Sequence, residues 1–157
     1  MARFRSFEVD SPASAEEALE YFNAFHDGFM QSIVLDSVDR IEADLSQSCS
    51  GLFEVTILFA HYNYPVGALQ AADRLVEGRF HGVREPYFDL ADDFLGNTII
   101  QLAAGSVTRS DPGGNSEEAI ELLLGRNFYF SDERRYDYRE ARLFTFRTAS
   151  FREASRA

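Results

Sequence analysis

The chain has 157 residues, 45% of them apolar and 14% aromatic, with a formal charge of −11. That length suits one domain with a core that needs no metal or disulfide staple, and that composition excludes a disordered chain. The charge opposes binding to a nucleic-acid backbone, which is held by clustered cations, and leaves a basic protein partner or plain solubility as its meaning.

Cys49 is the sole cysteine, so neither an intrachain disulfide nor a paired-thiolate metal site can form, which suits a reducing compartment. No stretch approaches the roughly 18 apolar residues of a membrane span, and the opening MARFRSFEVDSPAS lacks the apolar run of a signal peptide. The expectation is a cytoplasmic protein without membrane association. All 15 basic residues are arginine, a type suited to bidentate pairing with carboxylates.

In chain order, Phe4 to Val9 reads as a short edge strand ended by Ser11-Pro12. Ser14 is the expected N-cap of an amphipathic helix whose buried stripe carries Ala15, Ala18, Leu19 and Phe22 with Tyr21 or Phe25. Glu16 and Glu17 then complement the helix dipole, and Gly28 stops the helix. The period changes to 2 over Phe29–Asp36, and Ile41, Ala43 and Leu45 alternate after a turn at 36–39, which predicts a hairpin over 29–45. LFEVTILFAHYNY, from Leu52 to Tyr64, predicts a central strand with Phe53, Val55, Ile57 and Phe59 on one face.

Residues 66–76 and 117–124 read as either helix or strand; we expect a turn and then a strand over Arg74–Val83, extended past Pro86 by Tyr87, Phe88 and Leu90. Asp89, Asp92 and Asp93 lack the spacing of an EF-hand and read as turn residues before Gly96-Asn97. Further strands are expected over Thr98–Thr108, 120–124 with 128–130, and Arg142–Phe151, with loops at SDPGGNS (110–116) and SDERRYDYRE (131–140). The sum is one α+β domain over 1–157, a mostly antiparallel sheet or curled barrel with one N-terminal helix packed on it. Residues 1–13 form an extension or edge strand and 150–157 a fraying tail.

Motif chemistry is sparse. There is no GxSxG elbow, P-loop or GxGxxG, so nucleophilic and nucleotide chemistry lack support and no cofactor is expected. His26, His61 and His81 with Asp27 are the only metal-ligand candidates, and they lack HxH or HExxH spacing; His26 and Asp27 read more simply as corner residues. Arg134, Arg135, Tyr136 and Tyr138 mix cations with tyrosine, a composition that suits a partner-binding hot spot or an exposed hairpin tip.

The strings FHDGFMQSI at 25–33 and GRFHGVREPYFDL at 78–90, flanking a long aliphatic and aromatic strand, resemble the layout of small bacterial proteins of immunity type. The resemblance touches about two dozen residues. It implies a compact α+β protein that binds another protein, as an immunity protein caps a toxin, and it assigns no catalytic residue. The expected function is therefore a non-enzymatic interaction module that masks a basic partner by complementary charge. The alternatives are a small metal-dependent enzyme or ligand-binding protein using His26, Asp27, His61 and His81, and a homodimer paired through edge strands.

Overall fold

The computed structural model describes residues 5–26, 28–62, 73–88, 99–130 and 132–154. Its elements are β1 (Ser6–Val9), helix α1 (Pro12–Tyr21), a tight turn at Asn23–Phe25, β2 (Phe29–Ser37), β3 (Arg40–Ile41), β4 (Gln47–Ser48), β5 (Phe53–Tyr62), β6 (Asp73–Val83), β7 (Ile99–Ser110), β8 (Ser116–Phe130), β9 (Arg135–Phe146) and β10 (Thr148–Ala154). Five strands make one sheet in the order β1-β10-β6-β5-β2, three make a second in the order β7-β8-β9, and β3 pairs with β4. Every pairing is antiparallel. The expected antiparallel sheet with one N-terminal helix against it is the architecture found, in open sheets and not as a closed barrel.

One apolar cluster joins both sheets and the helix. Alternation sends Val55, Ile57 and Phe59 of β5 inward beside Val76 and Phe80 of β6, while Ile120, Leu122 and Leu124 of β8 arrive from the other sheet. Phenylalanine fills the seam: the Phe80 ring meets Phe144, Phe146 and Phe151 edge-on at centroid distances of 4.9, 5.1 and 5.5 Å. An isolated bridge between Arg84 and Thr145 ties the end of β6 to β9.

The helix begins three residues before the expected cap. Ser11 is the N-cap and Pro12 takes the first turn, where its missing N–H costs nothing. Ser14 completes a capping box instead, its N–H donating to Ser11 Oγ at 3.2 Å while its hydroxyl oxygen accepts from the Ser11 N–H at 3.1 Å. Glu16 and Glu17 consequently sit beyond the first turn, as exposed residues. The helix also ends early, at Tyr21 and not at Gly28, because Asn23, Ala24 and Phe25 adopt positive φ angles of 52°, 53° and 53°. Left-handed backbone at three residues that carry a Cβ is strained. Burial of Phe25 offsets it: the ring stacks on Phe59 at 4.3 Å and on Phe22 at 5.2 Å.

The hairpin expected over 29–45 is not formed. β2 pairs along its length with β5, whose ten apolar-rich residues offer a better partner than 40–45. The intervening segment makes its own small ladder, with Arg40 opposite Ser48 and Ile41 opposite Gln47. A bulge between Met30 and Ser32 shifts the register of β2, so Met30 and Ile33 share the inner face where strict alternation separates them. β6 covers the expected Arg74–Val83, whereas Tyr87 and Phe88 follow it outside any strand and Leu90 lies outside the described residues. Asp89, Asp92, Asp93 and most of 66–76 lie outside them too.

Residues 117–124 are strand, within β8, and SDPGGNS is the tip of the β7–β8 hairpin, closed by the Asn115 N–H on Asp111 Oδ1 at 2.8 Å. SDERRYDYRE is a loop only at its start, since β9 begins at Arg135. Its residues pair with the last six residues of β8, from Gly125 opposite Glu140 to Phe130 opposite Arg135. The single last strand expected over 142–151 is two strands that break at Arg147. Nor does the tail fray over 150–154, because β10 is sandwiched between β1 and β6.

Gly78 lies where three phenylalanine rings crowd the backbone. It faces Ile57 and Phe151 in register, and a Cβ there would come within 3.0 Å of Phe80 and 3.2 Å of both Phe59 and Phe151. Gly78→Ala is expected to cost about 1 to 3 kcal/mol by overpacking, read as a lower urea midpoint at unchanged slope.

Candidate functional site

The structure separates the histidines. His81, near the end of β6, is exposed and sets its Nδ1 3.3 Å from Glu54 Oε1. His61 lies seven residues beyond Glu54 on β5, about 23 Å away at 3.3 Å per residue. His26 is half-buried next to the strained turn, its N–H bonded to the Asn23 carbonyl at 2.9 Å, and the pairing of Phe29 with Ala60 puts it toward the His61 end. Asp27 and the His61 side chain lie outside the described residues. Since His81 is stranded at the other end of the ladder, a single centre using all three imidazoles is not built. Among the described residues no group of metal-ligating side chains converges.

The Arg and Tyr group of β9 is only partly a surface. Arg134 and Arg135 are exposed, with Arg135 ion-paired to Glu133; the Tyr136 side chain lies outside the described residues. Tyr138 is 51% exposed yet supports the strand, because its ring lies over Gly125, where any Cβ would collide with it. Its hydroxyl donates to Glu140 Oε2 at 3.0 Å. Partial burial, together with this carboxylate, raises the Tyr138 pKa. The side chain shields a glycine in mid-ladder, as an aromatic across from glycine does.

A different surface has stronger credentials. β2 is the edge of the five-stranded sheet, and among the described residues no strand pairs with its outer side. Its second half exposes Val34 and Leu35 on opposite faces, and the β3–β4 hairpin beyond it exposes Ile41 (68%) and Leu45 (83%). The hairpin is firmly held despite this. Asp39 accepts from the Ser50 N–H at 2.5 Å and its hydroxyl at 3.0 Å, and Asp44 accepts from the Ser46 N–H at 2.9 Å and its hydroxyl at 2.6 Å. Those bonds, from Ser50 and from Ser46, lower the pKa of Asp39 and Asp44 and keep both ionised. Glu42 on the same hairpin pairs with Arg40 at 3.7 Å, and Asp36 and Glu54 stand opposite each other where β2 and β5 adjoin it, so carboxylates outnumber cations in this part of the chain. Leu45 has a φ of +67°, a conformation better suited to Asn or Gly. A large apolar side chain held there serves neither the turn nor the core.

A third cluster crosses the three-stranded sheet, from Arg109 on β7 through Glu117 on β8 to Thr145 on β9, with Arg147 just beyond. The Arg109 guanidinium donates from Nε to Glu117 Oε1 at 2.9 Å and from Nη1 to Thr145 Oγ1 at 2.9 Å, while Arg147 donates from Nε to Glu117 Oε2 at 3.0 Å. Arg109 is 8% and Glu117 17% exposed. Burial, reinforced by the nearby Arg147 and Arg84 charges, lowers the Arg109 pKa even though Glu117 opposes the shift. For Glu117, burial pushes the pKa upward, and the bonds from Arg147 and Arg109 more than offset it, so the net shift is downward. Sequence reading missed this cluster, because each member looks like an ordinary outward residue of its strand. One signal was available: Arg109 and Glu117 flank SDPGGNS symmetrically, as a cross-strand charge pair would.

No family model, no curated protein and no solved structure matches this chain. Among the described residues no helix is long and apolar enough to cross a membrane.

Proposed function

We propose that the chain is a non-enzymatic protein-interaction module that caps a basic partner, in the way its resemblance to immunity-type proteins implies. The observation that supports this reading most is the rigid β3–β4 hairpin, which holds Ile41 and Leu45 out to solvent in a part of the chain where carboxylates outnumber cations. Monomeric proteins seldom present contiguous apolar surface without use for it, and an apolar centre with a charged rim is the anatomy of an interface. The adjoining edge of β2 offers a second contact, to which an extended basic segment of the partner can add as a strand.

Leu45→Asn separates binding from folding. Asn tolerates the left-handed backbone, so the variant should melt at or above the wild-type temperature, while its affinity for the captured partner should fall by about tenfold or more. Binding by the wild type should weaken as salt rises. Equal retention of the same partner by wild type and variant would falsify the reading. Loss of self-association alone in the variant would identify a second copy of this chain as the occupant.

A further inference from the structure

We infer that the cavity between Arg84, Arg109 and Thr145 is a binding site for a small oxyanion of the phosphate class. The cavity holds about 270 Å3 and is lined by Arg84, Arg109 and Arg142 with Ser110, Thr145 and a single carboxylate, Glu85. Glu117 and Glu121 pair with Arg109 and Arg142, which leaves Arg84 as the lining cation with no paired carboxylate among the described residues. That volume lies below the usual range for drug-sized ligands and suits a compact ion.

The donors are incompletely used. Arg109 is more than nine-tenths buried, and after Nε bonds Glu117 and Nη1 bonds Thr145, its Nη2 has no hydrogen-bond partner. Arg84 Nε is likewise buried without a partner. The terminal nitrogens of Arg84 reach only the Ser110 and Ser50 carbonyls, the latter at 3.4 Å, and among the described residues it pairs with no carboxylate. Leaving guanidinium donors buried and unbonded is costly, because every N–H of the group seeks an acceptor. Thr145, itself buried, accepts from Arg109, so its hydroxyl proton remains available for an acceptor in the cavity.

These donors come from three separate segments: Arg84 just after β6, Arg109 on β7 and Thr145 on β9. Two guanidinium groups and a hydroxyl supplied by three segments offer more donors than a carboxylate with two oxygens can use, and suit an ion with four oxygens. The bond from Arg84 to the Ser50 carbonyl, at 3.4 Å, is the weakest held by this guanidinium and the first an incoming ion can replace. Arg142 is already committed, donating from Nε and Nη2 to Glu121 Oε2 at 3.0 and 2.7 Å, and contributes charge at the rim.

The experiment titrates inorganic phosphate into the full chain at constant ionic strength, with chloride and acetate as the other arms. Saturable binding of phosphate is expected, with a rising melting temperature and shifts of the Arg84 and Arg109 Nε–H resonances. Arg84→Gln should weaken phosphate binding by about tenfold or more, the loss of a charged hydrogen bond, and leave the phosphate-free melting temperature near wild type. Should Arg84→Gln fail to fold, the wild-type Nε–H resonances still decide the matter. Resonances unmoved by phosphate, a response that chloride or acetate reproduces, or an Arg84→Gln variant that binds like wild type would each overturn the assignment.

Discussion

Phe80→Ala is expected to destabilise the protein by about 3 to 5 kcal/mol, the upper range for a buried aromatic truncated to alanine. Phe80 is fully buried and touches rings from two different strands, Phe144 and Phe146 of β9 and Phe151 of β10. Those strands belong to different sheets, so the ring is a shared wedge between them. The cavity left behind cannot collapse without moving one sheet toward the other, and that resistance sets the cost. Urea denaturation at neutral pH measures it; a loss under about 1 kcal/mol would show that the sheets close over the gap freely.

Glu117→Gln is expected to cost about 2 to 3 kcal/mol, somewhat less than a fully buried ion pair broken from one side because Arg147 is half open to solvent. The amide keeps the shape but removes the charge that Arg109 and Arg147 share. The pH dependence has a definite sign. A carboxylate whose folded pKa is depressed adds stability above its unfolded value, and that contribution is lost as pH falls through the folded value. Wild type and variant should therefore differ most at neutral pH and converge in acid, below the ordinary carboxylate range. A gap that stays constant from neutral to acid pH would show that the glutamate's charge is not what matters.

The strands were legible where a buried face and a wet face alternate. Val55, Ile57 and Phe59 announced β5, and Arg74–Val83 could be placed because Val76 and Phe80 keep the same parity across Gly78. Pattern reading failed where that parity is broken or absent. Leu143, Phe144, Thr145 and Phe146 are all buried, which no alternating strand allows; a bulge between Leu122 and Leu123 of the partner ladder adds the extra residue. Arg135–Glu140 reads as loop because RYDYRE carries charges without an apolar alternation, although the ladder with β8 makes it strand. The helix start was concealed by Pro12, which ends a strand and begins a helix with equal ease.

The candidate surface was harder to see. Ile41 and Leu45 were assigned to a strand on their spacing, yet the turn at Asp44 and Ser46 holds Leu45 outside any sheet. The Arg84, Arg109 and Thr145 cluster is assembled from separate strands by tertiary pairing, and a local window of sequence carries no trace of that meeting.

The Glu153 carboxylate, almost wholly enclosed, accepts from the Arg5 N–H at 3.2 Å and from the Tyr21 hydroxyl at 3.2 Å, and the first of these contacts spans 148 positions. Among the described residues β1 pairs with no strand other than β10. During synthesis the helix gains support from β5 and β7, through the Phe25–Phe59 stack and the packing of α1 on β7, whereas β1 must wait for β10 before it has a strand to lie against. Closure of so distant a pair raises the sequence separation between contacting residues, which slows folding.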